Sequence, residues 1–227
     1  MNKGVKLDEI RKFKSYNVCL QMCRDRGYFA INNSQILNNN IENFKEKDIT
    51  DVFNDTIFFY SPDEKIIYCA FFSVSSTFEN SLIDDNSKII NEYNKIRRNN
   101  TNEINRLHIM YFYTPENFDF HKKPTIEQKN NPEFTPYNMG MWCINPILHH
   151  MQPTFKLYKQ NTEEYKNIIS KLDNKSMLAK MCYDDRIAKY YNAKPNDLFK
   201  IIRQDQTLSY RLVSPKAINL IKKPTKK

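Results

Sequence analysis

Residues 178–203 read LAKMCYDDRIAKYYNAKPNDLFKIIR, and residues 210–213 read YRLV. The first part predicts a helix that Asp184 caps, that runs through Tyr191 and that Asn192 ends. Apolar residues at 198–202 and 208–213 predict two strands that pair as a hairpin across residues 204–207. The last third of the chain is therefore expected to form a small unit that combines helices with a sheet.

A further helix is expected just upstream of this stretch. The run Asn161-Thr162-Glu163-Glu164 predicts its start, with Glu164 placed like the glutamate of a capping box. Apolar residues at 168, 169 and 172 give this helix one face that can pack on a core.

The first half of the chain predicts another sheet with helices packed on it. Phe13, Tyr16, Leu20 and Cys23 follow helical spacing, and Gly27 stands where a helix C-terminus is capped. Strands are expected at 57–60, 66–74 and 107–113, with a turn at 61–65 and a helix at 81–98. The order strand, strand, helix, strand indicates an α/β (α+β) architecture.

Two long stretches of this half are expected to be loops. Residues 32–54 are polar and rich in asparagine, with a short helix expected around residues 41–44. Residues 114–141 contain four prolines and many charged residues. Taken together, the patterns predict a domain at 1–145, a second domain at 146–213 and a basic tail at 214–227.

Basic charge is concentrated in the second half of the chain. Residues 1–145 hold 18 Lys+Arg and 19 Asp+Glu, whereas residues 146–227 hold 17 and 7. A basic surface is typical of proteins that bind nucleic acid or an acidic partner, although a solvated lysine face is the alternative for the tail. The first domain, at net −1, cannot bind duplex DNA by bulk charge.

The composition excludes several enzyme classes. The chain has only three glycines, Gly4, Gly27 and Gly140, so it cannot form a glycine-rich phosphate-binding loop. The start of the chain lacks the apolar stretch of a secretory signal, and no apolar run is long enough to span a membrane. The five cysteines are scattered, which favours reduced thiols over a disulfide framework.

Metal-dependent interpretations have little support in the spacing of the residues. Cys143 lies near His149 and His150, but a zinc site would need further ligands at suitable spacing. Asp55 together with Asp63-Glu64-Lys65 supplies the residue types of a restriction-type nuclease. Asp63, however, falls in the expected turn beside Pro62, where a rigid metal site is hard to build. No metal and no cofactor are expected.

The stretch 178–213 resembles the C-terminal signature of the fifth, shared subunit of eukaryotic RNA polymerases, a module that archaeal polymerases contain as a separate small subunit. That signature reads roughly L-P-x-I-x-x-x-D-P-V-A-R-Y-x-G-x-K-x-G-x-V-x-K-I-x-R, then Y-R-x-V. Ile144-Asn145, His149 and Pro153 are similar to the family's I-N…H-x-x-x-P segment. Two family glycines are Asn192 and Asn196 here, which keeps a positive φ accessible.

The first half resembles the jaw domain of the same eukaryotic subunit more weakly. Residues 23–28, CRDRGY, are similar to the family's C-x-D-R-G-Y, and Thr114-Pro115 resembles a Thr-Pro on the downstream-DNA side of the jaw.

The C-terminal signature departs from the family pattern at two prolines. The proline of the family's D-P pair is replaced by Arg186, and that of its L-P pair by Ala179. These departures indicate a divergent member, with a large DNA virus or a cell nucleus as alternative origins.

The resemblance implies a non-catalytic polymerase subunit that acts in transcription. Its C-terminal domain would dock on the largest subunit, and its jaw would lie near downstream duplex DNA without reading sequence. Other polymerase subunits are the expected partners, with no membrane and no homo-oligomer. The implied location is the site of transcription, which is the host cytoplasm or the virion for a viral protein and the nucleus for a cellular one.

Most of the expected site residues follow from the matched motif positions, whereas Arg11 and Lys12 belong to a local basic patch near the start of the chain. The expected polymerase interface comprises His149, Pro153, Asp185, Lys200, Arg203, Tyr210 and Arg211. Arg and Tyr are favoured interface anchors, although cross-strand pairing within a hairpin is the alternative for these residues. The expected DNA-proximal set comprises Arg11, Lys12, Arg24, Arg26, Thr114 and Pro115. A stand-alone DNA-binding module and the metal-dependent nuclease remain the alternative functions.

Overall fold

The computed structural model describes residues 3–32, 35–40, 56–73, 87–100, 104, 106–114, 133–172 and 177–215. The chain divides into two compact units, Met1–Ile144 (unit 1) and Asn145–Lys227 (unit 2). Each unit contains a mixed sheet with helices, so the α+β class expected from the sequence is confirmed. No helix among these residues has the length and apolar character needed to cross a bilayer.

Unit 1 begins with helix α1, Lys3–Asp25, whose expected apolar stripe is buried apart from Phe13, which is half-buried. Tyr16, Leu20 and Cys23 are among its most buried residues. The helix ends in a Schellman motif, because the Tyr28 amide donates to the Cys23 carbonyl at 3.0 Å and the Gly27 amide donates to the Arg24 carbonyl at 2.9 Å. Gly27 has φ +71°, as expected for the residue that caps this helix.

The sheet of unit 1 has six strands in the order β2-β1-β3-β4-β5-β6. Their bounds are β1 Phe29–Asn32, β2 Gln35–Asn40, β3 Thr56–Ser61, β4 Ile66–Ser73, β5 Arg106–Tyr113 and β6 Glu133–Asn138. The first four strands pair antiparallel, and β4, β5 and β6 run parallel. The expected strands at 57–60, 66–74 and 107–113 are therefore confirmed as β3, β4 and β5, each within a residue or two.

Aromatic side chains connect the parallel strands across one level of this sheet. The ring of Phe72 on β4 stacks on Phe112 of β5 at 4.5 Å, and Phe112 stacks on Tyr137 of β6 at 4.8 Å. Tyr16 of α1 contacts Phe72 at 5.7 Å. These offset contacts add to the area that each ring buries, so α1 and three strands share one aromatic core.

Helix α2, Lys88–Asn99, covers other apolar residues of the sheet through Ile89 and Ile96. Ser87 is its N-cap and accepts a hydrogen bond from the Ile90 amide at 3.2 Å. The sequence placed the start of this helix at residue 81. Residues 81–86 lie outside the described residues, and the helix begins after the Ser87 cap.

Two stretches expected to be loops contain regular structure. Residues 35–40 form β2 as an edge strand on β1, although three of its six residues are asparagine. Pairing with a neighbouring strand outweighs the low intrinsic strand propensity of asparagine. Within 114–141, β6 and helix α3, Met139–Trp142, are present. Pro136 is tolerated because β6 is an edge strand. The short helix expected at 41–44 lies outside the described residues.

Unit 2 is built on a four-stranded sheet in the order β7-β9-β10-β8. Its strands are β7 Thr154–Tyr158, β8 Ala179–Cys182, β9 Leu198–Ile202 and β10 Leu208–Ser214. The expected hairpin is confirmed as β9 and β10, whose register pairs Tyr210 with Lys200. Sequence reasoning missed β7 and β8, which are only five and four residues long, because so short a pattern does not distinguish a strand from a loop.

The helices of unit 2 begin one residue later than expected. Helix α4, Glu163–Ile169, is capped by Thr162, whose hydroxyl accepts from the Tyr165 amide at 3.3 Å. The position three residues after the cap is thus Tyr165, so Glu164 cannot complete a capping box. Helix α5, Arg186–Tyr190, is capped by Asp185 and not by Asp184. Asn192 has φ +51° and Asn196 has φ +73°, as expected for residues that stand in place of glycine.

The carboxylate of Asp197 links three segments of unit 2. Asp197 is 4% exposed, and its two oxygens accept from the amides of Lys194 at 2.8 Å and Gln160 at 2.9 Å. Its backbone carbonyl accepts from the Val213 amide at 2.8 Å. The residue therefore joins the loop after β7, the turn before β9 and strand β10.

We expect Asp197→Ala to lower the local unfolding free energy of unit 2 by about 2–4 kcal/mol, since two amides lose their acceptor in a buried place. Hydrogen exchange of the β9 amides in the full chain measures this change. Asp197→Asn keeps one carbonyl acceptor, so its local unfolding free energy should fall by clearly less than that of Asp197→Ala. Equal protection in wild type and Asp197→Ala would contradict the assigned role.

Replacing Gly27 with alanine should lower the unfolding free energy of unit 1 by about 1–2 kcal/mol, through the positive φ alone. A Cβ at this position meets no atom within 4 Å, so no steric clash contributes. Urea unfolding followed by the fluorescence of buried Trp142 reports the change. Gly27→Asn is the matched control, and it should lower the unfolding free energy by less than Gly27→Ala, because asparagine tolerates a positive φ.

Candidate functional site

One end of the unit 2 sheet brings three of the expected interface residues together. Thr154 pairs with Ile202, so Pro153 and Arg203, the next residues outward, face each other at the same end of β7 and β9. The side chain of Gln204 donates to the carbonyl of His150 at 2.7 Å and connects the 149–153 loop to the β9–β10 turn. His149, Pro153 and Arg203 therefore share this end of the unit.

A groove of about 360 Å³ opens between these two segments. Its walls are formed by Met151, Pro153, Arg203, Gln204 and Asp205. Asp205 accepts from both the amide and the hydroxyl of Thr207, at 3.0 and 2.7 Å, and these bonds hold the pKa of its carboxyl below the usual range. The turn that forms one wall of the groove is thus fixed by its own hydrogen bonds.

His149 is an exposed residue of the loop that borders the groove. Its Nδ1 accepts from the Met151 amide at 3.2 Å, and its ring stacks on that of His150 at 4.6 Å. Among the residues that the structure describes, no three His, Cys, Asp or Glu side chains are grouped so that they could hold a metal ion. All five cysteines are free thiols.

Lys200 and Tyr210 are direct cross-strand neighbours in the middle of the sheet. Lys156 of β7 lies on the other side of Lys200, and its Nζ sits 4.9 Å from the centre of the Tyr158 ring. Tyr210 packs against the buried cluster that contains Leu198 and Leu212. This face combines amines with a half-buried tyrosine, a composition that suits a protein interface as well as internal pairing.

The two remaining interface candidates lie elsewhere on unit 2. Arg211 is exposed and pairs with Phe199 in the register of β9 and β10, one residue along from Tyr210 and hence on the opposite face. Asp185 caps α5, its carboxylate accepting from the Ile187 amide at 2.8 Å. It follows β8 at the end of the sheet that is remote from the β9–β10 turn. The seven residues therefore do not form one patch.

Arg26, which the sequence placed near DNA, packs inside unit 1. Its guanidinium contacts the sulfur of Met22 at 3.1 Å, the hydroxyl of Tyr137 at 3.5 Å and the sulfur of Met110 at 3.7 Å, and it lies 5.6 Å from the centre of the Tyr28 ring. Burial alone would lower the pKa of this guanidinium, but Tyr137 and Tyr28 raise it, so the side chain stays charged. Burial raises the pKa of Tyr28 to about 12.

The other DNA-proximal candidates do not lie side by side. Arg11 and Lys12 are half-buried on α1, and Arg11 forms an ion pair with Asp8 at 3.2 Å. Arg24 is exposed near the end of the helix, and its guanidinium lies 3.5 Å from the side-chain oxygen of Gln21. Thr114 is fully buried after β5, and Pro115 lies outside the described residues.

Sequence reasoning missed a polar cluster at the edge of the unit 1 sheet. His108 is 6% exposed, and its ring nitrogens lie 3.1 Å from Glu133 and 2.8 Å from the Thr135 hydroxyl. Arg106 is hydrogen-bonded to the same glutamate. Parallel pairing of β5 and β6 places His108 opposite Glu133. The sequence does not reveal this register, because residues 114–141 are expected to form a loop.

Sequence reasoning also missed Met151 and Gln204, which form part of the groove. Each stands alone in its segment, and a single methionine or glutamine carries no motif. The available sequence signals were a proline two residues after Met151 and the turn residues after Arg203. Neither signal shows that the two segments meet at one end of the sheet.

Comparison with known proteins finds a family match in unit 2. Residues 144–213 match the family RNA polymerase Rpb5, C-terminal domain. No curated protein matches the chain. The match confirms the resemblance to the shared polymerase subunit that the motifs of this region indicated, and it supports a role as an RNA polymerase subunit in transcription, with other polymerase subunits as partners.

Arg26→Ala should lower the unfolding free energy of unit 1 by about 2–4 kcal/mol, because it removes packing and leaves the Tyr137 hydroxyl with one partner fewer. Arg24→Ala, two residues away on the exposed side, should change it by no more than about 0.5 kcal/mol. Urea unfolding followed by Trp142 fluorescence compares the two variants. A similar loss for both would show that the contacts of Arg26 contribute nothing beyond those of an exposed arginine.

Proposed function

We propose that the chain is a non-catalytic subunit of a multisubunit DNA-directed RNA polymerase, in which unit 2 docks on the largest subunit and unit 1 lies near downstream DNA. The observation that carries the proposal is the match of residues 144–213 to the Rpb5 C-terminal domain. The matched range covers the whole four-stranded sheet and both of its helices except Ser214 at the end of β10. The match thus includes nearly all of the regular structure described for unit 2.

The surface chemistry of unit 2 supports a docking role. Arg203 and Arg211 are exposed, Tyr210 is half-buried, and Leu148 and Met151 are 75% and 69% exposed. Arg, Tyr and Met are enriched at protein interfaces, since they bury a large area and, for Arg and Tyr, also donate hydrogen bonds. Candidate interface residues that lie in separate places, as here, would suit a subunit that touches more than one neighbour.

The proposed DNA proximity of unit 1 depends on local charge. Residues 1–145 carry a net charge of −1, so long-range attraction to duplex DNA is weak. Arg24 and Lys14 are exposed on α1 and are available for contacts with phosphates. Such contacts are independent of base sequence, as expected for a protein past which every sequence must move. The proposed location is therefore wherever the polymerase transcribes.

A stand-alone DNA-binding module is the second candidate function. It is favoured by the excess of 17 Lys+Arg over 7 Asp+Glu in residues 146–227. Such a module would bind duplex DNA by itself, and its affinity would fall steeply with salt. A polymerase subunit that acts only in the assembly would, as an isolated chain, bind duplex DNA weakly.

Purification of the tagged full chain from its native host at moderate salt tests the proposal. We expect the two largest polymerase subunits to copurify in near-equal amounts with the tagged chain, and nuclease treatment should leave that ratio unchanged. Recovery of the chain alone, or with DNA that nuclease removes, would contradict the proposal and favour the DNA-binding module. The isolated chain titrated with a duplex oligonucleotide at several salt concentrations gives the second readout.

A further inference from the structure

Exposed apolar residues lie on or near the segments that form the groove at the turn end of the unit 2 sheet. Leu148 is 75% exposed, Met151 is 69% exposed and Leu208, at the start of β10, is 56% exposed. Met151 and Pro153 form the apolar wall of the groove. Exposed apolar residues that cluster beside a concave surface indicate a binding site for another protein.

Hydrogen bonds hold the walls of this groove in place before anything binds. In the loop before β7, the Gln152 amide donates to the His149 carbonyl at 2.8 Å. In the turn, the Arg203 amide donates to the Thr207 carbonyl at 3.1 Å and the Gln206 amide donates to the Arg203 carbonyl at 2.9 Å. The bond from Gln204 to His150 joins the two walls. A groove fixed in this way loses little entropy when it is occupied.

The charge at the groove favours an acidic occupant. The guanidinium of Arg203 is exposed and makes no hydrogen bond with any of the residues that the structure describes. The one acid in the walls, Asp205, accepts two hydrogen bonds from Thr207. The charge of Arg203 is among the causes that lower the pKa of the Asp205 carboxyl, so the two side chains attract each other without a hydrogen bond between them. Residues 145–215 hold 12 Lys+Arg against 7 Asp+Glu, so the surroundings add to the attraction. A carboxylate can bind such an arginine through two parallel hydrogen bonds.

We propose that this groove binds a segment of a neighbouring polymerase subunit that presents an aliphatic side chain to Met151 and Pro153 and a nearby carboxylate to Arg203. The inference rests on the proposed function and adds the site and the chemistry of the docking segment. The apolar wall provides the contact area, and Arg203 selects for a segment that carries an acid at the right distance.

Charge reversal at the groove tests the inference in the assembled polymerase. Tagged full-length chains with Met151→Glu or Arg203→Glu should recover at least tenfold less of the two largest subunits than wild type. Lys171→Glu makes the same charge change as Arg203→Glu at an exposed residue after α4 and should recover them within twofold of wild type. If wild type and both groove variants recover the same amount of polymerase, the groove is not the docking site, although the proposed role as a polymerase subunit still holds.

A photo-crosslinking amino acid, p-benzoylphenylalanine, at position 151 gives an independent result. Mass spectrometry should identify a crosslinked peptide of another polymerase subunit with an aliphatic residue and an Asp or Glu close together. The same amino acid at position 171 should yield no such peptide. If wild type recovers no polymerase subunits, the proposed function fails. In that case, a crosslink from position 151 to an acidic and aliphatic segment of another protein would still support the groove as a binding site. The absence of any crosslink would contradict the binding site as well.

Discussion

The buried carboxylate of Asp197 is the constraint on which unit 2 depends. A carboxylate in an apolar interior is stable only when its oxygens accept hydrogen bonds. Here the amides of Lys194 and Gln160 supply two, from segments that are far apart in the sequence. The bonds fix the turn before β9, and that turn sets where Asn196 adopts its positive φ and where β9 enters the sheet. The register of β9 with β7 and β10, and hence the position of Arg203 opposite Pro153, follows from this entry point.

The family signature therefore combines residues with different roles. Asp185 caps α5, the asparagines at 192 and 196 allow the chain to turn, and Tyr190 is fully buried. Arg203 and Arg211 are exposed on unit 2. A match to such a signature reports on the fold of the unit as much as on its surface. In unit 2 the exposed members are the ones whose chemistry suits a partner.

Unit 1 shows the same mixture within a shorter stretch. In CRDRGY at residues 23–28, Gly27 ends α1 and Cys23 is buried. The two arginines differ in their surroundings, since Arg24 faces solvent whereas Arg26 lies against Tyr28, Tyr137 and two methionines. Arg24 lies in the last turn of α1 and Arg26 directly follows its last residue, and residues two apart at a helix end point in different directions. A motif from which two DNA-proximal residues were expected thus includes Arg26, whose contacts lie within unit 1.

The sequence by itself determined the α+β class, α1 with its glycine cap, strands β3 to β5, the β9–β10 hairpin and the family of unit 2. These features depend on local periodicity, on turn chemistry and on a contiguous motif, all of which can be read along the chain. Only the tertiary structure decided the edge strands β2, β6, β7 and β8, the contacts of Arg26 with Tyr137 and Met110, the pairing of His108 with Glu133 and the groove beside Arg203. Except for β2, which pairs with its neighbour β1 in the sequence, these features arise from residues that are distant in the sequence and that meet only when strands pair in one register.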